Sequence, residues 1–113
     1  MAAKQSCPGS MSTGGMDCTL DGAEVDEKGV LHCSYTCTPR KAQASDGVKA
    51  QLKDLGARAQ AAAIEMNAED PASVQRVNAE LKRVHADLVA FAKAHNLELI
   101  KKEYANESPR RRS

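Results

Sequence analysis

From Ser45 onward, apolar residues recur at steps that alternate between four and three. Val48, Leu52, Leu55, Ala59, Ala62 and Met66 form one such stripe, and Val74, Val77, Leu81, Val84, Leu88, Phe91 and His95 form a second. This spacing keeps one stripe of a helix turned toward a neighbour, and it predicts two amphipathic helices of about three heptads each. Ser45 or Asp46 supplies a cap for the first helix. Asp70 followed by Pro71 supplies the start of the second, because proline at the first helical position sacrifices no hydrogen bond. The link "NAED" is short, which favours antiparallel neighbours. Folding about it sets Met66 against Val74, Ala62 against Val77, Ala59 against Leu81, Leu55 against Val84, Leu52 against Leu88 and Val48 against Phe91. The same register puts Arg58 beside Glu80, and Gly56 beside His85, where glycine leaves room for an imidazole. Each arm is roughly 20 residues, or about 30 Å long.

A two-helix hairpin buries one seam only. Ile64 and Val89 lie off it, and so do Leu97, Leu99 and Ile100 in the stretch "NLELIKKEY", where the stripe changes face. These five residues are the expected partner-binding surface, serving either a different protein or a second copy of the chain. The C-terminal turn of the second helix is expected to dock on the segment that precedes Ser45.

That segment holds the four cysteines, Cys7, Cys18, Cys33 and Cys37. "AEVDEKGVLHCS" reads as a short β-hairpin with "EKG" at its turn and apolar Val25, Val30 and Leu31. "CPGSMSTGGMDC" reads as an irregular, Gly- and Ser-rich loop that needs a tie. Four thiolates complete a tetrahedral zinc shell whose binding energy becomes folding energy, so zinc held by Cys7, Cys18, Cys33 and Cys37 is the leading expectation. His32 and His95 are alternative ligands. The spacing lacks the paired Cys-x2-Cys knuckles of a zinc ribbon, and disulfides or unreacted thiols are the competing readings, with three pairings open to four cysteines. Neither an iron–sulfur run nor a redox Cys-x2-Cys motif is present.

Composition sharpens the need for such a tie. Of 113 residues only three are aromatic, and much of the 42% hydrophobic content is alanine, so the core is thin. Chains of this kind lean on a metal, disulfides or a partner. No apolar run reaches membrane-spanning length, so no membrane association is expected. The start "MAAKQSCPGS" shows no apolar signal region, and the expected location is therefore cytoplasmic, where thiols stay reduced. Net charge is +1, yet residues 74–113 hold nine basic and five acidic side chains. Lys101, Lys102, Arg110, Arg111 and Arg112 could hold nucleic-acid phosphates without reading sequence. No catalytic constellation is evident, so no enzymatic activity is expected.

Together these readings predict a mainly α chain. A Cys-rich, zinc-stabilised module at 1–44 precedes an antiparallel helical hairpin (a two-helix coiled coil) at 45–105 and a basic tail at 106–113. The expected role is a small adaptor or assembly protein. A nucleic-acid-associated regulator is one alternative, and a disulfide-stabilised protein of a non-cytosolic or particle environment is another.

Overall fold

The computed structural model describes residues 7–43 and 45–106. Within them the chain runs through β1 (Ser10–Thr13), β2 (Met16–Val25), β3 (Leu31–Pro39), α1 (Asp46–Ala63), α2 (Pro71–His95) and β4 (Ile100–Asn106). The four strands form one antiparallel sheet in the order β1-β2-β3-β4. The helical pair is thus inserted between two strands that lie side by side.

Local chemistry sets each element. Gly14 and Gly15 both have positive φ, 59° and 76°, and so close the two-residue β1–β2 hairpin that opposes Thr13 to Met16. At the next turn the Asp26 carboxylate accepts hydrogen bonds from the backbone N–H of Lys28 and Val30. Along β3, "LHCSYTCTP" alternates so that Leu31, Cys33, Tyr35 and Cys37 share one face, and all four are buried. Their β2 partners Val25, Ala23, Leu20 and Cys18 stay on that face only because the register shifts between Leu20 and Gly22. The extra residue is Asp21, whose side chain thereby joins Thr36 on the opposite face.

Both helices occupy the segments that the heptad pattern indicated. The Ser45 hydroxyl accepts from the Val48 N–H, and the Asp70 carboxylate from the Ala72 N–H, with Pro71 in the first turn. Asn96, at φ 59°, ends α2 in the left-handed conformation. Every stripe residue from Val48 to Leu88 is buried, while Phe91 is half-buried and His95 exposed. Arg58 and Glu80 line one shallow groove as the register implies, although Arg58 pairs with Asp87 at 2.7 Å and Glu80 with Arg83. One flanking expectation is corrected: Gly56 meets Ser10 of β1 instead of His85.

The expected mainly α architecture, a coiled-coil hairpin beside a small module, is overturned. The chain is an α+β fold in which the helices pack on a four-stranded sheet. Asn78 of α2 fastens the two layers. Its amide accepts from the Ala23 N–H at 2.9 Å and donates to the Ala23 carbonyl at 2.7 Å, serving the stretch of β2 that extends past β1. Gly9 lies so close to α1 that a Cβ there would fall 2.2 Å from the Gln60 Cα, and its N–H donates to Gln60 Oε1. Residues 97–106 do not dock as a helical turn: Leu97 and Leu99 pack against the core and the chain enters β4.

Candidate functional site

The four cysteines are joined in pairs, Cys7 to Cys33 and Cys18 to Cys37, and none is free among the described residues. The sheet register accounts for one pair, since Cys18 stands directly opposite Cys37 with Cα atoms 3.9 Å apart. The other ties the segment before β1 to the face that carries Cys33 and Tyr35, where the Tyr35 hydroxyl donates to the Pro8 carbonyl at 2.6 Å. Cys7 and Cys18 are therefore not the two ends of one tied loop. "CPGSMSTGGMDC" instead builds β1 and the start of β2.

This overturns zinc coordination by Cys7, Cys18, Cys33 and Cys37, because oxidised sulfurs have no thiolate to offer. No group of His, Cys, Asp and Glu suited to a metal ion exists among the described residues. The cytoplasmic expectation falls with it: two disulfides point to oxidising, non-cytosolic surroundings. The histidines are accounted for separately. His32 Nε2 lies 2.8 Å from Asp26, His95 rests against the Phe91 ring, and His85 Nδ1 lies 3.4 Å from the Thr36 hydroxyl.

The expected partner surface does not form one patch. Ile64 is 72% exposed at the end of α1 and Val89 is 41% exposed in the C-terminal half of α2. Because the helices run antiparallel, these two sit toward opposite ends of the pair. Leu97, Leu99 and Ile100 are half-buried against the core. Among the basic residues, Lys101 is bound to Asp21 at 2.6 Å, and Arg110, Arg111 and Arg112, with the rest of the basic tail past Asn106, lie outside the described residues.

Three features remain as binding elements. The first is a groove of about 470 Å³ between α1 and the β1–β2 hairpin. Lys49 and Lys53, one helical turn apart, line it together with Arg40, while Met11 and Leu52 give it apolar surface. Asp17 is the one carboxylate among the described residues that line it. Burial pushes the Asp17 pKa up, but hydrogen bonds from Ser12, Gln43 and Arg40 outweigh this and hold it below its ordinary value. The second is a shallower groove of about 680 Å³ between α2 and the sheet face that carries Ser34, with Lys82, His85 and Glu103 on its walls. Asp21 lines it but is occupied. Burial again opposes ionisation, and hydrogen bonds from Lys101, Thr36 and Ser34 lower the pKa despite it. Within the groove, Asp26 also holds His32, and Asn78 holds the Ala23 backbone.

The third feature is β4 itself. Its inner edge pairs with β3 from Ile100 opposite Cys37 to Asn106 opposite Leu31, and no described residue pairs with its outer edge. Sequence reasoning missed the first groove because Arg40, Lys49 and Lys53 are far from any motif. The one available signal was two lysines flanking Leu52 on the same side of α1, with no carboxylate four residues from either. No protein-family model, curated protein or solved structure matches the chain.

Proposed function

We propose that this chain is a disulfide-stabilised, non-enzymatic protein of oxidising surroundings, a non-cytosolic compartment or a particle, that joins a second copy of itself through β4. The observation that carries this reading is the seven-residue strand Ile100–Asn106, hydrogen-bonded to β3 on one side and unpaired on the other among the described residues. An open edge is a ready template for another strand. The non-enzymatic part is supported by the engagement of Asp21, Asp26 and His32 in structural hydrogen bonds.

The strand's own sequence supports a second copy as the partner. Two β4 strands placed antiparallel about a two-fold axis at Lys102 set Lys101 opposite the second copy's Glu103, and Ile100 opposite its Tyr104. The symmetry repeats both pairs. Favourable cross-strand pairs contribute about 0.2–1 kcal/mol each, so four contribute about 1–4 kcal/mol beyond the main-chain hydrogen bonds. Tyr104, 39% exposed in the single chain, would be covered. The two Lys102 side chains meet at the axis and make the one repulsive contact.

Sedimentation of the oxidised protein across a concentration series tests this. The expected result is a species of twice the 12.1 kDa chain mass. Glu103→Lys should weaken it by about tenfold or more, and Lys102→Gln should tighten it, since like charges directly opposite are destabilising. A chain that stays single up to millimolar concentration, or a dimer indifferent to both substitutions, overturns the reading.

A further inference from the structure

We propose that the groove between α1 and the β1–β2 hairpin is a binding site for a small amphiphilic anion, an acidic head on a compact apolar body. It is independent of the β4 edge, and its residues play no part in the assembly reading.

Two of the cationic side chains that line this groove have no counter-ion among the described residues. Lys49 and Lys53 are four residues apart on α1, an arrangement that destabilises a helix slightly. Neither makes an ion pair among the described residues, although both line the same groove. Arg40 completes a set of three cations converging on one concave surface. Asp17 offsets the charge of Arg40 and leaves Lys49 and Lys53 without a counter-ion among the described residues. It binds only the Nε of Arg40, at 3.3 Å, and its remaining capacity goes to the Ser12 hydroxyl at 2.7 Å and the Gln43 amide at 3.1 Å.

The terminal amino groups of Arg40 therefore make no bond to the described residues, and Asp17 holds the guanidinium in place. Gln43 is buried, at 5% exposure, and its amide also donates to the Thr38 carbonyl, so the base of this arrangement is fixed. An orienting carboxylate behind a guanidinium with free terminal donors suits planar acidic groups, which take two parallel hydrogen bonds.

Shape and lining define the rest of the ligand. About 470 Å³ is within the range of small-molecule sites. Met11 and Leu52 supply apolar contact beside the cations, so a hydrated inorganic ion would leave much of the surface uncovered. A carboxylate, sulfonate or phosphate head on one apolar ring system satisfies both halves of the groove.

The probe pair 8-anilinonaphthalene-1-sulfonate and N-phenyl-1-naphthylamine tests this directly, because the second is the same aromatic body without the sulfonate. Fluorescence titration of the full, oxidised chain should give one sulfonate-dye site. The neutral dye should bind at least about tenfold more weakly. The double variant Lys49→Gln, Lys53→Gln alters exposed side chains only and should keep the native circular dichroism spectrum. It should weaken the sulfonate dye by about tenfold and leave the neutral dye unchanged. A matched variant, Lys28→Gln with Lys93→Gln, removes the same charge at exposed positions outside both grooves and should leave both dyes unaffected. Equal binding of the two dyes, an unchanged affinity in the Lys49 and Lys53 variant, or an equal loss in the matched variant each overturns the proposal.

Discussion

Replacing Cys7 and Cys33 together by alanine removes a cross-link that spans 26 residues, and replacing Cys18 and Cys37 removes one that spans 19. A cross-link restricts the unfolded chain, and the chain-entropy relation gives about 3.5 kcal/mol for the first loop and about 3.2 kcal/mol for the second at 25 °C. The two loops overlap between residues 18 and 33, so losing both should cost less than the sum, about 5–6 kcal/mol. A 113-residue domain has roughly 6–17 kcal/mol in total. The fully reduced chain should therefore stand near the edge of unfolding, while each paired variant still folds. Urea titration followed by the helical circular dichroism signal measures this. Each pair should lower the midpoint by roughly 1–3 M, given slopes of about 1–3 kcal/mol per molar. A chelator should change nothing while the disulfides are intact. Protein purified without reductant that yields four free thiols on denaturation would falsify the reasoning, as would midpoints that move by less than about 0.3 M.

Three further outcomes can be read on the same apparatus. Asn78→Ala leaves the Ala23 N–H and carbonyl without their amide partner, and two such orphaned groups should cost about 2–4 kcal/mol; a loss below about 0.5 kcal/mol would show that water replaces the amide. Leu88, 1% exposed between the helices and the rest of the core, should cost about 2–5 kcal/mol as alanine, while Leu55, at 8%, should fall at the lower end of that range. Burial, with a smaller push from Tyr104, raises the Tyr35 phenol from 10.0 to about 12. The folded chain thus holds a proton that the unfolded chain has released. That stability is fully present below pH 10 and is lost as pH rises through about 12, amounting to roughly 2–3 kcal/mol, and the decline between unfolding curves at pH 9 and pH 11.5 should vanish in Tyr35→Phe.

The helices were legible because their signals are local. Caps at Ser45 and Asp70 and the stripes through Leu52 and Leu81 act within a few residues. The sheet was legible in part: Leu31, Cys33, Tyr35 and Cys37 alternate as a half-buried strand should. Treating the cysteines as ligands removed half of that pattern from view, since a disulfide cysteine is also an apolar core residue. In β2 the bulge at Asp21 breaks the alternation, so Cys18 and Leu20 fall out of phase with Ala23 and Val25 and the strand loses its period. β1 is short and polar, and only Gly14–Gly15 marked its turn. β4 could not be read from its own residues, because "IKKEYAN" becomes a strand through β3 beside it. The disulfide pairing depends on register for the same reason. No local property of Cys18 says that Cys37 will stand opposite. The groove cations likewise meet only once Arg40, in the turn just after β3, is brought against α1.

The position of β4 in the chain has a consequence for biosynthesis. β3 and β4 are adjacent in space, yet residues 40–99, 60 in all, lie between them. At about 5–20 residues per second, the edge of β3 waits roughly 3–12 s for its neighbour to be made. Both cross-links fall within residues 7–37, so oxidation can proceed during that interval with nothing required from the helices. Once formed, they hold β2 and β3 as a prepared edge for the last strand to find. A nascent chain arrested near residue 99, just before β4 is made, should already contain both correct disulfides, while still presenting β3 to any other extended segment that reaches it first.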